Sequence, residues 1–203
     1  MKKWMLFLAC LPLAAATGYA QESRMDASVS GAAFVPHDVT ANTVHETSTI
    51  GYGLLASYRY MVTPHLALEA NYGYDRDIFK YSFGYGNDRV HTQFQEGSAE
   101  VVYSAFAYHN FYPFVEGGIG GFLFGIINDK QTSTTVGTLK SSTEIGVPYG
   151  GGVAYEISPS FDIRVQYRGF VVKAPDFGAP SNSTKTGRYI NISNPVIGVA
   201  YHF

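Results

Sequence analysis

The sequence predicts an all-β chain that closes as an eight-stranded, up-and-down antiparallel barrel spanning a membrane. Three observations lead there. Apolar and polar residues alternate in run after run, the period of a strand with two different faces. Short turn-like segments alternate with long polar ones. The faces opposite the apolar residues carry mid-strand charges and many glycines.

The first twenty residues stand apart. In "MKKWMLFLACLPLAAATGYAQ", Lys2 and Lys3 are a positive start, Trp4 to Ala16 an apolar core, and Gly18-Tyr19-Ala20 a small-x-small cleavage site. That is the pattern of a secretory signal peptide, with cleavage expected after Ala20. An uncleaved anchor is the alternative, but the apolar run falls short of the roughly 20 residues of a transmembrane helix. Cys10, the single cysteine, lies inside this segment. A lipoprotein cleavage before it would cut the apolar core in half, and Phe7 and Leu8 fit such a site poorly. Residues 21–203 therefore hold no disulfide. They carry 12 Lys and Arg against 16 Asp and Glu with no basic block, so nucleic acid is not an expected partner.

The strands follow in order. In 50–60, Ile50, Tyr52, Leu54, Ala56, Tyr58 and Tyr60 share one face, against Gly51, Gly53, Ser57 and Arg59. In 66–75, Leu66, Leu68, Ala70, Tyr72 and Tyr74 oppose Ala67, Glu69, Asn71, Gly73 and Asp75. In 161–168, Phe161, Ile163, Val165 and Tyr167 oppose Asp162, Arg164, Gln166 and Arg168. Weaker versions cover 25–35, 98–106, 113–124 and 147–157, and 195–203 closes the set. Tight turns are expected at 61–65, 108–112 and 157–160. Long polar loops are expected at roughly 36–48, 75–91, 127–143 and 173–187. In the second of these Tyr81, Phe83 and Tyr85 still alternate, so its flanking strands could extend beyond the membrane.

A soluble sandwich or lipocalin-like barrel shares this periodicity, with its apolar face inward. The charges at Arg59, Glu69, Glu100, Glu116, Arg164 and Arg168 favour the membrane form, because a lumen can pair them and a lipid face cannot. Short turns on one rim and long loops on the other are the outer-membrane arrangement. Tyr58, Tyr60, Tyr103, Tyr155, Phe161, Tyr201 and Phe203 gather near the short turns, as an interfacial aromatic girdle does. Each crossing takes roughly 9 to 11 residues, so eight fit and sixteen do not.

The chain ends "NPVIGVAYHF", a strand running to its last residue. This end resembles the C-terminal signal by which outer-membrane barrels are recognised by their assembly machinery. Gly198, Tyr201 and Phe203 match its glycine, penultimate aromatic and terminal aromatic, while Val196 stands where a polar residue is common. Phe203 could otherwise be the last core residue of a soluble sheet. "FYPFVEGGIGGFLF" and "VPYGGGVAYEISPSFDIRVQYRGF" resemble middle and late strands of OmpA/OmpX-type eight-stranded barrels. The resemblance covers the whole of 21–203. It implies a bacterial outer-membrane protein with both termini in the periplasm, set among outer-membrane lipid and lipopolysaccharide. No peptidoglycan-binding domain is expected after the closing strand.

Chemistry-bearing residues concentrate in the expected lumen. By parity Arg59, Arg164 and Arg168 share it with Glu69, Glu100, Glu116, Glu156 and Asp162. An eight-stranded barrel is just wide enough for side chains to fill it, so these charges form a polar plug. The alternative, which the OmpA resemblance implies, is a gate of exchanging Arg–Glu pairs; five acids against three bases would then favour cations. "EGGIGGFLFG" lacks the Lys-Ser/Thr of a phosphate loop, and its glycines relieve crowding in a curved sheet. The histidines (His37, His45, His65, His91, His109, His202) show no ligand spacing, so no metal and no cofactor are expected. His202 should be simply hydrated at the mouth.

A lipid A-modifying enzyme is a further reading, but no motif pairs a serine with a histidine and GxSxG is absent, so no catalytic residue is assigned. "NST" and "NIS" match glycosylation acceptors of little weight in this setting. The four long loops are left as the functional surface, binding a surface ligand or only shielding the mouth.

Overall fold

The computed structural model describes residues 24–36, 39–41, 44–48, 50–83, 86–126, 141–173 and 189–203. The expected signal peptide, residues 1–20, lies outside them, as do most of the third and fourth expected loops. The strands are β1 (Met25–Pro36), β2 (Val39–Ala41), β3 (Val44–Ser48), β4 (Gly51–Thr63), β5 (Leu66–Phe83), β6 (Gly86–Tyr103), β7 (Phe111–Ile126), β8 (Ser142–Ser158), β9 (Phe161–Lys173) and β10 (Tyr189–His202).

Eight of them form a closed antiparallel ring, in the order β1, β4, β5, β6, β7, β8, β9, β10 and back to β1. The closing seam joins the first and last strands, with Asp26 opposite His202 and Ala32 opposite Val196. The other two, β2 and β3, pair with each other and then with the far end of β5, where His45 faces Ser82 and Ser48 faces Phe79. They extend the sheet beyond the ring. Closure leaves the ring no unpaired edge, which is what permits strands to cross a bilayer.

Side-chain parity sorts the two faces. Along β4 the exposed Tyr52, Leu54, Ala56, Tyr58 and Tyr60 alternate with buried Gly51, Leu55, Ser57 and Arg59. The turns joining β4 to β5 and β8 to β9 are two residues long, at 64–65 and 159–160. The start of β1 and the end of β10 lie on this turn side: the backbone N–H of Phe203 donates to the carbonyl of Met25 at 3.0 Å.

Three expectations need correction. The run at 98–106 leaves the sheet at Tyr103, and an irregular stretch follows to a single bridge between Tyr108 and Phe111. His109 turns this corner with φ of 53°, a left-handed conformation for which histidine is somewhat enriched. The expected loop at 75–91 is mostly strand: β5 and β6 pair continuously from Leu66–Tyr103 to Phe83–Gly86. The first expected loop likewise holds β2 and β3. The alternation of Tyr81, Phe83 and Tyr85 points to longer strands at 75–91; polar composition conceals how far they run, and conceals β2 and β3 altogether, because a hairpin that rises out of the membrane can be polar on both faces.

Two glycines have a steric cause. A Cβ on Gly198 would stand 2.0 Å from Ser30 Oγ on the neighbouring strand, so β10 can lie against β1 only without one. On the outer face Tyr149 lies across its strand partner Gly169, where an added Cβ would meet the ring at 2.4 Å. The ring covers backbone the glycine leaves bare, the pairing known as aromatic rescue.

Candidate functional site in the barrel lumen

Period-two alternation delivers the charged side chains to one interior space. Glu96, Ser98 and Glu100 follow one another on the inner face of β6, and Asp162, Arg164, Gln166 and Arg168 on that of β9. Three groups result. Nearest the turns, Arg164 Nη1 lies 2.9 Å from Asp26 Oδ1 and Arg164 Nη2 donates to Asp162 Oδ2 at 3.2 Å. Beside them, Arg59 Nε donates to Glu69 Oε2 at 2.6 Å, with its guanidinium 4.9 Å from the Phe114 ring centre.

The third group surrounds Arg168, which is fully buried. Its Nη1 and Nη2 grip Glu96 as a fork, at 3.0 and 2.7 Å, and Nη2 also reaches Glu100. Asn71 Nδ2 donates to Glu100 at 2.8 Å. The Ser98 hydroxyl sits between the two glutamates, 2.7 Å from Glu96 and 2.9 Å from Glu100. Glu116 is held most loosely: Arg168 Nε is 3.6 Å away, and no described residue hydrogen-bonds its carboxylate.

Of the eight residues expected in the lumen, Arg59, Glu69, Glu100, Glu116, Asp162, Arg164 and Arg168 are buried inside. Glu156 is not among them. It is half-buried at the turn-side mouth, where it accepts a hydrogen bond from the Tyr112 hydroxyl at 2.9 Å. His202 is a second correction: its Nε2 lies 2.9 Å from Asp162 Oδ2, so a protein group takes the place of the expected water. Asp26 and Glu96 are buried acids that the reading of the sequence passed over, and Asp75, assigned there to the polar face of its strand, was not counted among the lumen charges. For two of them the signal was available, since Asp75 shares the parity of Glu69 and Glu96 that of Glu100; on β1 no residue had been singled out to set the parity of Asp26. Among the described residues the buried ionisable side chains are then seven carboxylic acids against three arginines, an excess of acids over bases.

A second layer was missed altogether. Phe34, Phe94, Phe122, Phe124, Phe170, Val172 and Ile192 form one buried apolar cluster on the long-loop side of the charges. Phe94 stacks on Phe122 at 5.7 Å and meets Phe124 edge-on at 5.2 Å, while Phe122 packs on Phe170 at 5.2 Å. The parity that points Glu116 inward, carried along β7, also points Phe122 and Phe124 inward. A smaller group, Ala67, Val102 and Phe114, lies toward the turns. Among the described residues no set of three or more His, Cys, Asp or Glu is arranged to hold a metal ion.

The outer face is the inverse of the lumen. Val29, Leu54, Ile119 and Ile197 are each more than 60% exposed there, a continuous apolar surface that water would penalise and lipid would not. Of the residues expected to carry the assembly signal, Gly198 faces the lumen. Tyr201 and Phe203 face outward with ring centres 6.1 Å apart, and Phe161 lies 5.1 Å from Tyr201.

Comparison with known proteins agrees with this geometry. A family model described as "Outer membrane protein beta-barrel domain" matches residues 5–203. No curated protein matches by sequence. Among solved structures, Neisserial surface protein A is similar at a TM-score of 0.61 and 15% identity, over 89% of this chain and 98% of that one. OprG of Pseudomonas aeruginosa is similar at 0.62 and 15%, over 90% and 97%. The attachment invasion locus protein Ail of Yersinia pestis is similar at 0.57 and 15%, over 90% and 100%. At these identities the likeness is one of fold.

Proposed function

The chain belongs to the outer membrane protein beta-barrel domain family, and from that premise we propose that it is a non-conducting, non-catalytic surface protein. In this reading the barrel is an anchor, its lumen is plugged, and recognition belongs to the parts that rise above the outer leaflet. The observation carrying the proposal is the buried phenylalanine cluster stacked over the ion pairs. A permeating ion would have to shed its water to cross a layer of close-packed rings in which Asp75, opposite Phe94, is the one fully buried carboxylate among the described residues, at a cost of several kcal/mol.

Strand length supports the second half of the proposal. From Leu66 to Phe83 a strand rising about 3.3 Å per residue and tilted about 40° climbs roughly 43 Å, against an apolar band about 25 Å tall. The β5–β6 hairpin therefore projects well above the lipid, with β2 and β3 paired along it. A backbone paired into a sheet has less conformational freedom to lose on binding than an open loop. A cation-preferring channel is the second reading, favoured by the acid excess in the lumen. Tyr201 and Phe203 would present the last strand to the assembly machinery.

Conductance in a planar bilayer decides between the two readings. The wild type should be silent, and the doubly substituted Phe94→Ala, Phe122→Ala should give steady steps. Steps from the wild type that change with Arg168 substitution would put the channel first. Replacing residues 77–92 by a short turn should leave the heat-dependent gel shift of the folded barrel intact while abolishing adhesion to surfaces that the wild type binds.

A further inference from the structure

The described strands sort charge between their faces almost completely. Seven buried carboxylates point into the lumen, and no acidic residue with a described side chain lies on the outer face of a strand. Among the strand residues with described side chains, that outer face carries two cations, Arg76 on β5 and Lys173 at the end of β9, both exposed. They stand on opposite sides of the ring, four strands apart in either direction. A cation is costly at the middle of the apolar band and nearly free at its edges. Arg76 is ten residues along β5 from Leu66, a climb of about 25 Å at the usual rise and tilt, which places it at the outer edge of that band.

Arg76 is also oriented. Its Nε donates to the Tyr74 hydroxyl at 3.1 Å, and the guanidinium carbon stands 5.8 Å from the centre of that ring. Its strand partners are Tyr52 on β4 and Gln93 on β6. Below it, Tyr72 donates to Gln95 at 3.3 Å. The fork of terminal nitrogens is thus left on a surface of tyrosines and glutamines with no described outward carboxylate to neutralise it. A guanidinium fork matches two oxygens of a phosphate.

From this placement we infer that Arg76, flanked by Tyr52, Tyr74 and Gln93, is a docking site for the phosphate group of an outer-leaflet glycolipid. The acyl chains of such a lipid would lie along the exposed Leu54 and Tyr72 below the site. The lipid, rather than a soluble phosphate, is the occupant because the site sits at the edge of the apolar surface and faces outward from it.

The test is native mass spectrometry of the refolded full chain extracted from phosphatidylcholine vesicles containing a minor fraction of diphosphoryl lipid A. The wild type should retain lipid A. The Arg76→Gln variant should retain about tenfold less, the factor expected for losing a pair of charge-assisted hydrogen bonds. Arg76→Lys, which keeps the charge and loses the fork, should fall between them, and Lys173→Gln should retain as much as the wild type. A heat-dependent gel shift on each variant separates loss of the site from loss of the fold. Equal retention by Arg76→Gln would overturn the site. So would equal retention of dephosphorylated lipid A, or an equal loss from Lys173→Gln. Displacement of lipid A by millimolar inorganic phosphate would overturn the lipid as the occupant.

Discussion

In the turn-side part of the lumen Arg59, Arg164 and Arg168 each reach a carboxylate within 3.0 Å. In the loop-side part five phenylalanine rings pack with centres 4.7 to 6.1 Å apart. The same strands build both. Along β9, Arg164 and Arg168 are followed on the same face by Phe170 and Val172; along β7, Glu116 is followed by Phe122 and Phe124. Parity decides that a residue points inward, and its height along the strand decides which filling it joins. The division has exceptions on both sides: Asp75 is set opposite Phe94 and Glu144 opposite Phe122, and Phe114 packs with Ala67 and Val102 toward the turns.

The two fillings differ in how they respond to loss. A buried ion pair gives back little more than its desolvation cost, but removing one partner strands the other. Arg168→Met is therefore expected to have the largest effect, a loss of about 3–5 kcal/mol, because Glu96, Glu100 and Glu116 all lose their counter-charge together. Urea unfolding in detergent micelles reads it. Restoring much of that loss by adding Glu96→Gln and Glu100→Gln would show that the stranded charges are its cause.

Phe122→Ala comes next, at roughly 3 kcal/mol, the cost of a cavity in an apolar core. Phe122 is fully buried between Phe94 and Phe170. Its effect should be insensitive to salt and matched by Phe170→Ala. If Phe122→Ala instead costs little, lipid tails or water enter the loop-side lumen readily, and the contrast between the two parts fails.

What could be read in the sequence follows the same division. Membership of the inner face was legible at Arg59, Glu69 and Arg164, since strict alternation survives any tilt or register. Strand count and ring closure followed from the turns, the alternating runs and the C-terminal aromatic. The contacts were not legible. That Arg168 grips Glu96, seventy-two residues away in sequence, depends on the stagger of strands around the ring, which alternation leaves open. The phenylalanine layer escaped because an apolar residue on a glycine-rich strand looks equally at home on the lipid face. The β5–β6 extension was legible only in part, in the alternation of Tyr81 and Phe83, because polar composition signals a loop and a water-exposed hairpin alike.

The boundary between the two fillings offers the smallest and sharpest test. Asn194 sits opposite Arg168 on β10 and is flanked on its own inner face by Ile192 and Val196. Its Oδ1 is buried without a hydrogen bond from any described residue. Asn71, deeper in the charged part, likewise has a buried Oδ1 without a hydrogen bond from any described residue, but its Nδ2 donates to the Glu100 carboxylate at 2.8 Å. Leucine has nearly the shape of asparagine, so Asn194→Leu removes a poorly satisfied amide and should change stability by less than about 1 kcal/mol. Asn71→Leu takes a donor from a buried carboxylate and should cost about 1.5–3 kcal/mol. Equal costs at the two sites would mean that the charged environment reaches as far as Asn194, moving the boundary one residue pair toward the loops. A gain in stability from Asn194→Leu would place that residue wholly within the apolar part, where an amide has nothing to bond.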